Sequence, residues 1–474
     1  MTAKDEPATG RRDARANRER ILTVAGEMLR ADPDVTVDEV AAAAGVARAT
    51  VYRHFTSRTG LITALGAFTT ARSDANMRDA LRPAGELASP GPVPLDVADV
   101  LNKVPPHLLG EQIVAEAQRL AGVRSVVLYL IDIDGTRLRR AAGSQEFPDE
   151  IRVPSAVGPE IPREAIPALR HRLDELLPAS TVAPMFLRGR AVGVLVAVDA
   201  PEAPLLQLAR QAAAAMALAE GYTDTFDATR RRKDISAASE IQQNLLPPRI
   251  ARISGGLLAG NVLPGYEIGG DWFDYVENPD GAWIATADSA GSGTTAAATG
   301  AITLGAFRAK RRRGATLSET VRYMEQILRQ LNAPSITCNA IIARWHGPSA
   351  SFFWIACGDL QPCLIDHAGK VSRLPGTSHP SLGLLNGHDE RIVTADAHRL
   401  TSDQRILLIS DGVTAHDRTG AGPITLADIG QAIADLPPAR SAPAIVSAVA
   451  DLLTEEDDSL DDDATIVAFS PTDP

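Results

Sequence analysis

The residues of this 474-residue chain best suited to chemistry are acidic ones set at glycine turns. Asp271 follows two glycines in Glu267-Ile268-Gly269-Gly270-Asp271-Trp272-Phe273-Asp274. Asp288 ends the apolar run Ala285-Thr286-Ala287 and leads through Ser289-Ala290 into Gly291-Ser292-Gly293. Glycine lets backbone pass close to a bound group. Two carboxylates at adjacent strand ends suit a hard cation such as Mg²⁺ or Mn²⁺. Asp beside Gly is also ordinary turn chemistry, so this pair alone fixes no function. Two later acidic turns extend the pattern. An apolar strand over 405–409 opens into Ser410-Asp411-Gly412-Val413, and Asp461-Asp462-Asp463 opens directly into Ala464-Thr465-Ile466-Val467.

The elements that must position these groups begin with composition. At this length two to four domains are expected. Hydrophobic residues make up 45% of the chain and aromatics only 4%, so the cores are built from Leu, Val, Ile and Ala. No apolar run reaches the length of a membrane span. Residues 1–6 carry no apolar signal region, and three Cys (Cys338, Cys357, Cys363) form neither a disulfide framework nor a zinc pattern. A cytoplasmic protein with no membrane partner is the expectation. The net charge of −12 argues against nucleic-acid binding by the whole chain, yet residues 11–58 hold nine Arg against seven acids. A local basic module can still meet phosphates.

That module is helical by pattern. Ile21, Leu22, Ala25, Met28 and Leu29 share one helix face, and Asp32-Pro33-Asp34 stops it. Thr36 and Glu39 form a capping box for a helix over 37–44. Gly45 turns the chain into a further helix over 47–55. Two short helices about a Gly turn make a helix-turn-helix, whose second helix enters a DNA major groove. The segment Gly45-Val46-Ala47-Arg48-Ala49-Thr50-Val51-Tyr52-Arg53-His54-Phe55, with Ser57-Arg58 after it, resembles TetR-type DNA-binding domains over about residues 17–65. The resemblance implies a DNA partner, with Thr50, Tyr52, Arg53 and His54 at the DNA and Arg48 at base edges. This all-α head is expected over 14–80 and a Pro/Gly-rich linker over 81–97.

Residues 98–202 read as α+β, with a buried strand over 125–133, the hairpin signal Asp134-Gly135 and a second hairpin about Arg188-Gly189-Arg190. The order of elements and Gly189-Arg190-Ala191-Val192-Gly193-Val194-Leu195 resemble a GAF sensor domain, which implies a small-molecule ligand or a dimerising scaffold. A helix over 203–246 follows. Leu205, Leu208, Ala212, Ala215, Ala219, Tyr222 and Phe226 have coiled-coil spacing, which fits one helix packed on its own domain or, the reading favoured because a helix-turn-helix needs a two-fold partner, a parallel dimer helix joining sensor to effector. Arg230-Arg231-Arg232-Lys233 is expected to be a solvated face, as is the basic run at 308–313.

From Glu240 the chain reads Glu240-Ile241-Gln242-Gln243-Asn244-Leu245-Leu246-Pro247. Together with the four acidic turns, this resembles the SpoIIE-type branch of metal-dependent Ser/Thr protein phosphatases over about residues 234–470. The resemblance implies an α/β/β/α sandwich over 247–470 and two divalent ions, Mn²⁺ or Mg²⁺. Asp288 would bridge the ions and the Ser289 carbonyl would help hold one. Asp411 and Asp462 would complete a coordination shell, Asp271 would act at the other edge, and Asp463 would assist. The implied substrate is a phosphoprotein such as an anti-sigma-factor antagonist. Gly291-Ser292-Gly293 stands where the family has Gly-His-Gly, and Cys357-Gly358-Asp359 where it has Ala-Gly-His. These departures leave a second reading open, in which the domain is a non-catalytic sensor or dimerisation scaffold of a transcriptional regulator.

Overall fold

The computed structural model describes residues 9–31, 35–55, 57–58, 60–61, 64–65, 95–153, 156–263, 269–331, 336–385, 393–418, 422–434, 436, 440–454, 460 and 462–472. Most of the expected linker, and the end of the helix before it, lie outside these residues.

The head contains the helices Thr9–Ala31, Val37–Ala43 and Arg48–His54. Thr36 and Glu39 form the expected capping box. Ile21, Leu22, Ala25, Leu29, Val40, Val51 and Phe55 close into one core.

The middle domain is a six-stranded antiparallel sheet. Its central strand Val126–Ile131 is buried at every residue, because both faces of the sheet are covered. On one face lie the helices Leu109–Ala121 and Glu202–Ala219, and on the other Ile166–Leu176.

The expected connecting helix over 203–246 is not one helix. It divides into Glu202–Ala219, the short Thr225–Arg230 and Ala237–Leu245. Leu205, Leu208, Ala212, Ala215 and Phe226 pack into the middle domain's own core, while Tyr222 is exposed. A stripe at three- and four-residue spacing serves a helix lying on a sheet as well as it serves a coiled-coil seam.

The basic run at the break is not a solvated face either. Arg230 is buried against Glu220 (2.8 Å), Arg231 pairs with Glu240 (2.7 Å), and Arg232 reaches Asp132 (3.0 Å) and Asp134 (2.6 Å) on the first hairpin. The charges clamp the end of the middle domain to the start of the next.

The C-terminal domain stacks two six-stranded sheets. One includes Trp272–Asn278, Gly281–Ser289, Cys338–His346 and Ser351–Cys357; the other includes Gly256–Leu263, Arg405–Ile409 and Ala464–Pro471. Between them lies a core with Ile284, Ile341, Leu408, Val467 and Phe469. The helices Gly293–Arg311 and Leu317–Gln330 cover the outer face of the first sheet, and Leu426–Ala434 and Ala442–Thr454 that of the second. The layering is the expected α/β/β/α sandwich. No described helix is long and apolar enough to cross a membrane.

Arg308 and Arg311 also depart from the expected solvated face. Arg308 makes a two-pronged contact with Asp274 (both 3.0 Å), and Arg311 reaches the same carboxylate at 2.5 Å. Asp274 and Arg311 are both buried. The side chains therefore tie the Gly293–Arg311 helix to the strand that starts beside Asp271. Removing one partner of a buried pair strands the other's charge. Asp274→Ala is expected to lower unfolding stability by about 3–5 kcal/mol in urea denaturation.

Candidate active site

Gly269 and Gly270 lie at a close contact between the strand entry and two helices. A Cβ on Gly269 would lie 2.8 Å from the backbone of Ala238, on the Ala237–Leu245 helix. One on Gly270 would lie 2.9 Å from Ala296 Cβ on the Gly293–Arg311 helix, and one on Gly300 of that helix would lie 2.7 Å from the Gly270 carbonyl oxygen. The glycines are needed for this close approach of two helices. Their effect is to fix Asp271 immediately after them.

Asp271 is buried between the two sheets. Thr465 donates its hydroxyl to Asp271 Oδ2 (2.7 Å), and the Asp271 amide donates to Asp463 Oδ2 (3.2 Å). Asp463 is buried as well and accepts from Gln242 Nε2 at 2.7 Å; the same Gln242 amide donates to the Asp271 carbonyl at 3.0 Å. Asp288, half-buried at the end of its strand, accepts from Asn339 Nδ2 at 3.2 Å. Asn339 in turn accepts from the Ser381 hydroxyl (2.8 Å) and lies against Gly358, where a Cβ would come within 2.0 Å of the Asn339 side chain. Asp411 and Asp462 are exposed at the mouth. Gly412 brings the turn after Asp411 onto Asp463, whose carbonyl would lie 2.0 Å from any Cβ there.

Burial, followed by the charges of Asp288 and Asp463, pushes the Asp271 carboxyl well above the usual range. Burial and then Asp411 push Asp288 up to about 6. Burial, against the hydrogen bonds it accepts, pushes Asp463 up to about 7, and burial also raises Asp462. Like carboxylates in a desolvated space resist ionising together. Among the described residues no Arg, Lys or His is ion-paired with Asp271, Asp288 or Asp463, and Asp463 Oδ1 is buried without a hydrogen-bond donor.

An all-oxygen donor set of this kind fits Mg²⁺ or Mn²⁺. Among the described residues, however, no three acidic, Cys or His side chains are grouped as ligands of one ion. The carboxylates are neighbours and do not form a closed cage. Ser289 is buried on the same strand as Asp288, with its carbonyl beside Gly270. Ser292 is the N-cap residue of the Gly293–Arg311 helix but makes no side-chain capping bond, and Asp359 is exposed.

In the head, Tyr52 and Arg53 are exposed, and Thr50 and His54 are half-buried. Arg48 lies over the Tyr52 ring and pairs with Asp38 at 2.8 Å, a surface pair worth about 0–1 kcal/mol.

Gln242, Ser410 and Thr465 lie inside the sequence motifs, but no motif marks their role, and Asn339 lies outside all of them. Nothing in its local sequence separates Asn339 from any other strand residue.

Residues 278–471 match the family described as "Stage II sporulation protein E (SpoIIE)". The chain carries a SpoIIE-type, metal-dependent protein phosphatase domain. Residues 29–65 match "Bacterial regulatory proteins, tetR family", so the head is a TetR-type helix-turn-helix. Similar solved structures include the SiaA-PP2C domain of Pseudomonas aeruginosa, 18% identical with a TM-score of 0.41, over 50% of this chain and 94% of that one. A second is the PP2C phosphatase domain with a regulatory-domain fragment of SpoIIE from Bacillus subtilis, at 14% identity and a TM-score of 0.38, over 77% and 87% of the two chains. A third is the PPM Ser-Thr phosphatase MsPP from Mycobacterium smegmatis, at 16% and 0.34, over 47% and 100%. No curated protein matches the chain.

In the phosphatase domain Gln242 holds a carboxylate at the acidic cluster from a helix outside the two sheets. Residues that orient metal-site carboxylates typically change affinity or activity by about ten- to a hundredfold when lost. Gln242→Leu is expected to lower turnover of a phosphoprotein substrate by that factor, with an unchanged circular dichroism spectrum.

Proposed function

We propose that the protein is a signalling regulator that hydrolyses phospho-Ser or phospho-Thr on a regulatory protein, such as an anti-sigma-factor antagonist. Its GAF-like middle domain controls the reaction, and its head binds DNA. The observation that carries the catalytic part is the set of carboxylates Asp271, Asp288 and Asp463, the first and last buried and Asp288 half-buried, which among the described residues no cation pairs with. Asp271, Asp288, the Ser289 carbonyl, Asp411, Asp462 and Asp463 are the groups that would hold two divalent ions. When bound, such ions supply an activated water and offset charge on the phosphoryl oxygens.

The chain's own contribution is alignment. Asn339 fixes one oxygen of Asp288, Thr465 fixes one of Asp271, and Gln242 fixes one of Asp463. Asp411 and Asp462 stand at the exposed mouth, where a phosphorylated side chain enters. Ser292 occupies the helix N-terminus beside Asp288, a place where backbone N–H groups favour an anion. None of the three buried Cys is placed as a nucleophile, since burial pushes each thiol up.

Titrating Mn²⁺ against phosphoprotein hydrolysis tests the enzyme reading. Saturable metal-dependent release of phosphate is expected, and the Asp288→Ala, Asp411→Ala double variant should lose it. Equal activity in wild type and variant would sink the reading and leave the domain a scaffold.

DNA binding rests on the exposed Tyr52 and Arg53 of the Arg48–His54 helix, the second of the helix-turn-helix pair. Reading two half-sites requires a two-fold pair of heads, so we include a homodimer in the proposal. Tyr52→Ala is expected to weaken operator retention in a gel-shift assay while hydrolysis is unchanged. Unaltered retention would remove Tyr52 from the DNA surface.

A further inference from the structure

The middle domain and the phosphatase domain meet at a seam that is strongly charged. Glu160 of the middle domain is buried, bonded to Arg190 (2.8 Å) and to the Ile250 amide (2.9 Å) of the phosphatase domain. A cavity of about 300 Å³ opens along this seam. That volume is at the lower end of those that hold a whole small molecule.

Its wall carries four guanidinium groups, from Arg190, Arg230, Arg231 and Arg249, but only three carboxylates, from Glu160, Glu220 and Asp227. The pairing shows where the surplus lies. Glu160 serves Arg190, and Glu220 and Asp227 serve Arg230. Arg231 turns to Glu240, outside the cavity. Arg249 is only 5% exposed, yet its hydrogen-bond acceptors are neutral, the Pro247 carbonyl (2.9 Å) and Gln243 Oε1 (2.7 Å). Its nearest carboxylate is the one already held by Arg190. Burial accordingly pulls the Arg249 guanidinium down to about 10, with Glu160 only partly restoring it. A buried cation without its own counter-charge is costly, and a bound anion relieves that cost. Guanidinium forks suit phosphate and carboxylate heads alike.

We propose that this seam cavity is a binding site for a small anionic metabolite, phosphate- or carboxylate-headed and no larger than a mononucleotide. The site is separate from the sheet cores of both domains. It is also lined by Gln243 and Asn244, which follow Gln242 on the same helix, so the site borders the helix whose Gln242 holds Asp463. The assignment of the cavity does not depend on catalysis.

Isothermal titration of the full chain in EDTA keeps anions from binding through metal at the acidic cluster. The probes are 5′-AMP, citrate and inorganic phosphate. At least one is expected to bind with a Kd below about 1 mM, and the comparison of AMP with citrate identifies the preferred head group. Arg249→Gln should weaken binding by about tenfold or more. Asn244→Trp, a change at an exposed helix position that fills the cavity mouth, should do the same without removing a buried charge. Asp411→Asn should bind as wild type does. Absence of binding by all three probes would overturn the proposal. So would binding that survives Asn244→Trp, or binding lost in Asp411→Asn.

Discussion

Two helices close on Gly269-Gly270 at distances no side chain could occupy, and the rest of the catalytic arrangement depends on that contact. From one side comes Ala238, on the helix that enters from the middle domain; from the other come Ala296 and Gly300. The contact leaves Asp271 no freedom of position. Asp271 then sets Asp463 through its amide and Thr465 through its carboxylate, at the start of the strand Ala464–Pro471, which lies inside the second sheet. A methyl group at Gly270 would separate the helix from the loop, and the two sheets would lose their common reference point. These glycines therefore owe their place to packing, whereas Gly291 and Gly293, both with positive φ, owe theirs to backbone conformation.

The chain manages buried charge in two opposite ways, and the contrast separates framework from site. In the framework, buried acids are paired with cations at two points that fix the first sheet. Asp274 holds Arg308 and Arg311, and Asp280 holds Arg344, which is wholly buried beside Trp283. Such pairs are geometrically exacting and fix how a helix sits on a sheet. Around Asp271, Asp288 and Asp463 the acids face one another instead. Packed side chains could have supplied an Arg there, as they do a few residues away at Asp274. The mutual repulsion lowers the stability of the empty protein, and it is the kind of strain that cation binding relieves.

Much of this was legible in the sequence. The capping box, the Asp134-Gly135 hairpin and the continuous apolar strands depend on neighbours in the chain, and local pattern reports them well. The four acidic turns were legible because each places an Asp at an abrupt border with an apolar run, where a strand starts (Asp271, Asp462) or ends (Asp288, Asp411). The helix over 203–246 was misread for a physical reason. Leu205, Leu208, Ala212 and Ala215 would form the same stripe whether they met a second copy of the chain or their own sheet, and only tertiary structure decides between those partners. The basic runs misled for a related reason. An Arg reads as solvated until Asp274, 34 residues away from Arg308, is folded against it. Asn339 and Gln242 were silent because their importance lies in a partner 51 and 221 residues distant.

The Ala237–Leu245 helix brings these strands of argument together. Its Ala238 presses on Gly269, its Gln242 reaches Asp271 and Asp463, and its Glu240 is held by Arg231 from the end of the middle domain. A helix of nine residues has little stability of its own. It is ordered by what it touches, and what it touches includes both the end of the middle domain and the acidic cluster. A rigid coiled coil would transmit rotation along its axis. A short helix held at both ends by specific contacts transmits something different, the presence or loss of a few hydrogen bonds. Asp463 has one buried oxygen with no donor and the other on Gln242, so its orientation depends on where this helix sits. Under the proposed function, control of the site by the middle domain would need only this adjacency and no long-range pathway.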